Sequence, residues 1–197
     1  MRNSALAERQ VTPDMGEQAA SQALAVLASN GDRAAFAQLV ALHYDFIFRT
    51  AWRWTRDREA AEDVAQTVCM KLGKTIGKWR GEGAFSTWLY RLVVNAANDL
   101  HRMRQREMRN SKSFLTYAVS AAMEVVEPNS RDGADEIWAH VATLPEKQRT
   151  AVMLVYGDGL SHGEAAKVMD CAESTVSFHL HAARKQLKKI VEQEGEV

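Results

Sequence analysis

Apolar residues in this chain recur every three to four positions and show little strict alternation, so its segments can bury one face as helices but not as half-buried strands. Only 3 prolines interrupt 197 residues, and the long stretches rich in Ala, Leu, Val, Arg and Glu favour helix throughout. The expected fold is all-α. At this length two small domains or one larger one are open. A hydrophobic share of 46% with 25% charged residues suits a packed helical core with a solvated surface and argues against disorder along the whole chain.

Local breaks divide the pattern. Thr12 as N-cap and Pro13 in the first turn open a short first helix, and Asn30-Gly31-Asp32 ends it. Over residues 32–54, Phe36, Leu39, Val40, Ile47, Ala51 and Trp54 fall at helical spacing. Over residues 58–72, Ala61, Val64, Ala65, Val68 and Leu72 do the same, and the two helices are expected to pack antiparallel. A glycine-rich loop, residues 77–83, precedes a helix from Phe85 to about Arg109 that buries Phe85, Trp88, Leu89, Leu92 and Ala96. Residues 104–132 hold no sustained amphipathic pattern and end in Glu127-Pro128-Asn129-Ser130-Arg131-Asp132-Gly133, which reads as a flexible linker. The resulting division is an unassigned extension at 1–25, a first helical domain at 26–105, a linker at 106–132 and a second helical domain at 133–197.

In the second domain a helix begins near Ala134 and breaks at Leu144-Pro145, and helices follow from Pro145 to Tyr156, Ser161 to Met169 and Ser174 to about Val191. Ser161-His162-Gly163-Glu164 is a capping box, in which hydroxyl and carboxylate satisfy orphan amides at a helix start. A tight turn at Met169-Asp170-Cys171-Ala172 leads into a helix with Val176, Leu180, Ala183 and Leu187 inward. This is a helix-turn-helix pattern, whose second helix enters the major groove. Its outer face carries Ser174, Ser177, Phe178, His181, Arg184, Lys185 and Lys188, placing polar groups at base edges and charges on phosphates. A plain helical hairpin with a solvated charged face would use the same spacing. His179 and His181 are two apart and diverge on a helix, which disfavours a metal site.

In the first domain Arg91, Asn95, Asn98 and Arg102 share one stripe of the helix after the glycine loop. Guanidinium groups there can neutralise phosphates and Asn amides can pair with an unpaired base, while Trp79 and Tyr90 provide flat faces for stacking. A merely solvated stripe has the same pattern. Formal net charge is zero, yet Lys and Arg outnumber Asp and Glu over residues 31–110 and are outnumbered over 111–140. A polyanion surface is therefore expected to be local.

The blocks Glu59-Ala60-Ala61-Glu62-Asp63-Val64-Ala65-Gln66 and Trp79-Arg80-Gly81-Glu82-Gly83-Ala84-Phe85-Ser86-Thr87-Trp88-Leu89-Tyr90-Arg91-Leu92-Val93-Val94-Asn95 resemble region 2 of the extracytoplasmic-function (ECF) sigma factors of bacterial RNA polymerase, in the sigma-70 family. Leu144-Pro145-Glu146, Gly159-Leu160-Ser161 and Thr175-Val176 through Ala183-Arg184 resemble their region 4. Two blocks in the right order are far more specific than either alone.

The resemblance implies a non-enzymatic, cytoplasmic transcription initiation factor without a cofactor, active in stress responses. Glu59, Glu62, Asp63, Gln66 and Met70 would dock on the clamp helices of the largest polymerase subunit. Trp79, Arg80, Gly81, Glu82, Gly83, Tyr90, Arg91, Asn95, Asn98 and Arg102 would serve the −10 element, with Asn95 in the pocket for an extruded base. Ser174, Thr175, Ser177, Phe178, His179, His181, Arg184, Lys185 and Lys188 would hold the −35 duplex, near the flap of the second subunit. The linker would thread toward the RNA exit path, and an anti-sigma factor would cover both DNA-binding faces. One departure stands out: after Thr175-Val176 the family commonly has Arg or Lys, where this chain has Ser177, Phe178 and His179, so fewer fixed charges meet phosphate.

Other classes are less well served. A stand-alone helix-turn-helix regulator would bind duplex tightly without polymerase, and a structural adaptor would need neither Asn95 nor Arg91. No nucleophile-base pair or phosphate-binding loop supports an enzyme. Cys69 and Cys171 lie far apart with no metal spacing, which suits a reducing cytoplasm, and no segment reads as a signal peptide or membrane span.

Overall fold

A computed structural model of the chain describes residues 15–118 and 133–194. The expected cap at Thr12 and Pro13 lies outside them. Two compact units divide the chain, Met1–Val93 and Val94–Val197.

The first unit is built from α1 (Met15–Ser29), α2 (Arg33–Thr55), α3 (Arg58–Thr75) and the start of α4 (Phe85–Ala118). Asp32 caps α2, its carboxylate accepting from the amides of Ala34 and Ala35, and Asp57 caps α3 through the amide of Ala60. Each cap satisfies donors that the helix itself leaves open. Between them Arg56 takes the left-handed conformation at φ 53°, and this tight turn folds α3 back along α2. The alanines Ala60, Ala61 and Ala65 are fully buried beside Val64, Val68 and Leu72, so the small side chains let α3 lie close on α2. Phe36, Val40 and Trp54 are only half-buried. One core position that hydropathy overlooks is His43, whose Nε2 lies 2.6 Å from Ser21 Oγ on α1. A buried imidazole is tolerated there because that hydrogen bond replaces water.

Helix α4 extends past Arg109 to Ala118, into residues whose pattern reads as linker. The boundary between the two compact units falls inside it, at Val93/Val94. The reason is chemical: the distal part of α4 hydrogen-bonds side chains of the second unit's own helix α6.

The second unit continues with α5 (Gly133–Thr143), α6 (Glu146–Val152), α7 (His162–Met169) and α8 (Glu173–Glu194). Pro145 separates α5 from α6, as the sequence leads one to expect. Helix α6 widens at its end into a π-type turn, Met153–Gly157, closed by the Asp158 amide donating to the Met153 carbonyl at 2.8 Å. Helices α6 and α7 both pack on α8, burying Val176, Leu180 and Ala183. Left-handed Asp170, φ 55°, ends α7 and makes the turn into α8.

The capping box on α7 is fully formed. Ser161 Oγ accepts from the Glu164 amide at 3.3 Å, and the Glu164 carboxylate accepts from the Ser161 amide at 2.9 Å and its hydroxyl at 2.7 Å. Those bonds hold the Glu164 carboxyl below its ordinary value of 4.5. Ser161→Ala is expected to cost about 1 kcal/mol, a fall of about 4–8 °C in the second unit's melting temperature. Because the carboxyl is depressed in the fold, its share is complete above the unfolded value and is lost as pH falls through the folded one. The gap between wild type and variant, followed by circular dichroism, should therefore narrow below pH 4.5.

Candidate nucleic-acid interface

The glycine-rich loop between the 3-10 turn Ile76–Lys78 and α4 owes its path to two glycines with positive φ, Gly81 at 76° and Gly83 at 84°. Side chains other than glycine rarely adopt that region. Arg80, Gly81, Glu82 and Gly83 are all exposed. Trp79 is not: it is 8% exposed and stands edge-on to Phe85 with ring centroids 5.8 Å apart. Among the described residues its indole N–H finds no acceptor. Tyr90 is likewise buried, edge-on to Phe46 at 5.4 Å. Both rings, expected to offer faces for stacking, are walls of the core instead. Edge-to-face packing stabilises aromatic clusters beyond their buried area, and hydropathy alone does not tell a core aromatic from an open one.

Along α4 the expected stripe divides. Asn95 is exposed and Arg91 half-buried, but Asn98 is 5% exposed. Within the second unit Asn98 Nδ2 donates to Thr150 Oγ1 at 3.1 Å and its Oδ1 accepts from Arg149 Nη2 at 2.9 Å. Arg102 donates to Glu146 at 2.6 Å and also pairs with Asp99. Burial lowers the Arg149 pKa, and a buried guanidinium requires an acceptor. Asn98 supplies it and so is unavailable to a base in this arrangement. Burial and the nearby Arg149 also lower the His101 pKa.

On α8 the outer face is as the spacing indicates. Ser174, Ser177, Phe178, His181, Arg184, Lys185 and Lys188 are exposed, and Thr175 and His179 are half-buried. Phe178, 66% exposed, is an apolar group held in solvent. Ser177 Oγ lies 3.0 Å from His162 Nδ1, Arg184 donates to the Tyr156 hydroxyl at 3.1 Å, and Lys188 pairs with Glu192 at 3.6 Å. Burial and Lys147 lower the His179 pKa.

On α3 the side chains of Glu59, Glu62, Asp63, Gln66 and Met70 all face solvent, with Glu62 paired to Arg58 at 3.1 Å. One polar residue was overlooked entirely by motif reading. Gln22 of α1 reaches the glycine loop, its Oε1 accepting from the Phe85 amide at 3.1 Å and its Nε2 donating to the Gly83 carbonyl at 3.4 Å. Cys69 is half-buried, with its thiol pKa raised by burial, and Cys171 sits half-buried in the turn before α8. Among the described residues no group of three or more His, Cys, Asp or Glu is placed to hold a metal, and no helix is long and apolar enough to cross a membrane.

The profile of Sigma-70 region 2 matches residues 39–107, and that of Sigma-70, region 4 matches residues 134–187. The RNA polymerase sigma-H factor of Pseudomonas aeruginosa is 33% identical over 180 residues, covering 87% of this chain and 93% of the relative. The ECF RNA polymerase sigma-E factor of Haemophilus influenzae is 30% identical over 187 residues, covering 90% and 98%. This chain belongs to the ECF sigma factors. It is a factor that directs RNA polymerase to promoters, and the stand-alone regulator is not favoured. The fold of this sigma factor is shared with CnrH, solved in complex with the cytosolic domain of CnrY (22% identity, TM-score 0.57, 88% of this chain and 98% of that one). It is shared too with RpoE of Bartonella quintana, solved with the anti-sigma factor NepR (24%, 0.53, 80% and 96%). Both are likenesses of fold alone. The glycine loop, Asn95 and the outer face of α3 lie inside the sigma factor's region 2 match and the exposed face of α8 from Ser174 to Lys185 inside its region 4 match, with Lys188 one residue past it, whereas Gln22 precedes both.

Proposed function

We propose that this sigma factor docks on core polymerase through the outer face of α3, holds the −35 element as duplex with α8, and captures an extruded −10 base at the glycine loop. The α3 face, with Glu59, Glu62, Asp63 and Gln66 around a single apolar contact at Met70, suits a reversible interface. The −10 contacts fall to Arg80, the exposed backbone from Gly81 to Gly83, and Asn95, with Arg91 toward phosphate and with Trp79 and Tyr90 as rigid walls. Asn98 and Arg102 are committed to α6 and take no part while that network stands. The groove-facing residues of α8 are Ser174, Ser177, Phe178 and His181, with Thr175 and His179 at its edge and Arg184, Lys185 and Lys188 on phosphates. An inhibitory anti-sigma partner would cover these two faces. Promoter opening is then differential binding: extruding a base costs a few kcal/mol, and the loop gives that back only to the unpaired form.

The observation that carries this reading is a two-glycine loop whose backbone is open to solvent, followed along α4 by an exposed amide, Asn95. The test is Asn95→Ala in run-off transcription with purified core polymerase. A two-bond contact to a base is worth about 1–3 kcal/mol, so open-complex yield is expected to fall about 5- to 150-fold, with core binding unchanged. Unaltered opening would overturn base capture at Asn95. A chain that forms no complex with core polymerase would overturn the whole reading.

A further inference from the structure

Residues before position 39 lie outside the region 2 match, yet α1 holds the loop that region 2 presents. Ala84 directly precedes helix α4, and its carbonyl accepts from the amides of Thr87 at 3.2 Å and Trp88 at 3.3 Å. Ala84 stands where Ser, Thr, Asp or Asn would normally supply a side-chain oxygen to the orphan amides of the first turn, and alanine has none. The oxygen that reaches the Phe85 amide comes from Gln22, 63 residues away in sequence. The same carboxamide donates, at a longer 3.4 Å, to the carbonyl of Gly83. One side chain thus spans the end of the loop, with a bond on either side of Ala84.

Gln22 is itself firmly seated. Its neighbour Ser21 is buried and bonded to His43 at 2.6 Å, and Ala25 and Ala28, on the same helix, are buried too. The far end of the loop is set by the Trp79 amide donating to the Ile76 carbonyl at 3.0 Å and by the Trp79 ring against Phe85. Between these anchors Gly81 and Gly83 leave the backbone without side-chain locks. We propose that Gln22 is a positioning residue for −10 recognition: α1, through this one carboxamide, sets the loop shape that distinguishes an unpaired base. The inference rests on the loop being the −10 reader.

The experiment uses the full chain with core polymerase on fork-junction DNA made from a promoter that the wild-type holoenzyme opens, with each −10 base varied in turn. Losing a neutral hydrogen bond or two is expected to reduce binding to the preferred fork about 2- to 10-fold in Gln22→Ala and to flatten base discrimination. Core binding and affinity for a −35 duplex should stay within about twofold. Hydrogen exchange at the Phe85 amide should quicken in the same variant. Gln22→Glu keeps an acceptor for Phe85 but offers Gly83 no donor, and should lose discrimination while folding; it serves if Gln22→Ala does not fold. Discrimination like wild type in either folded variant would overturn the proposal, and so would parallel loss of core and −35 binding, which marks a merely structural role. Absence of any −10 preference in the wild-type holoenzyme would instead overturn the reading beneath it.

Discussion

Phe85→Ala should remove about 3–5 kcal/mol of stability from the first unit, a loss comparable to the whole stability of many small domains. Phe85 is 1% exposed and meets three rings, His43 at 5.3 Å, Trp88 at 5.7 Å and Trp79 at 5.8 Å. Truncation leaves a cavity that these rings cannot fill together, because His43 is tied to Ser21 and Trp79 is bound into the base of the loop. The cost therefore combines lost burial with an uncollapsed void. Thermal denaturation followed by near-ultraviolet circular dichroism should show the first unit melting tens of degrees lower, or already unfolded. A shift of only a few degrees would mean that the rings close over the gap and that the loop's floor is not rigid.

The second large effect is electrostatic. Changing Arg184, Lys185 and Lys188 together to Gln should cut the dependence of −35 duplex binding on salt, since each neutralised phosphate contributes about 0.9 to the logarithmic slope. Three lost contacts lower the slope by about 2.7, so between 50 and 200 mM salt wild type should weaken about 40-fold more than the triple variant. Arg184 and Lys188 rest on Tyr156 and Glu192 in the structure and must exchange these surface contacts for phosphate. Exposed pairs of this kind are weak, so the exchange is feasible. The measurement is holoenzyme binding to an upstream duplex across a salt series. A slope that changes by less than one would show that this end of α8 does not lie on the backbone.

Much of the architecture was legible from residue types. Ser161 and Glu164 announced a helix start, and the inward and outward positions of α3 and α8 followed from the 3.6-residue period. Periodicity reports which residues share a face, and it does not report what covers that face. Asn98 was placed correctly on a stripe with Asn95, but Arg149 and Thr150, about fifty residues on, bury it. Trp79 and Tyr90 look alike as core or as platform until neighbours are known. The end of α4 was missed for a related reason. Arg104, Arg106, Glu107 and Arg109 are good helix formers that carry no apolar stripe, and a stripe signals burial rather than helicity. Gln22 left no local trace, because its partners are backbone atoms of a distant loop.

The pairing of Asn98 with Arg149 also bears on how genetic data for this protein should be interpreted. Shortening Asn98 to alanine strips a desolvated guanidinium of its carbonyl, and an orphaned buried cation is costly whatever the nucleic acid does. A transcription defect in that substitution is then a report on Arg149 first. Only a double replacement, with Arg149 made neutral at the same time, separates damage to the protein interior from the loss of a promoter contact.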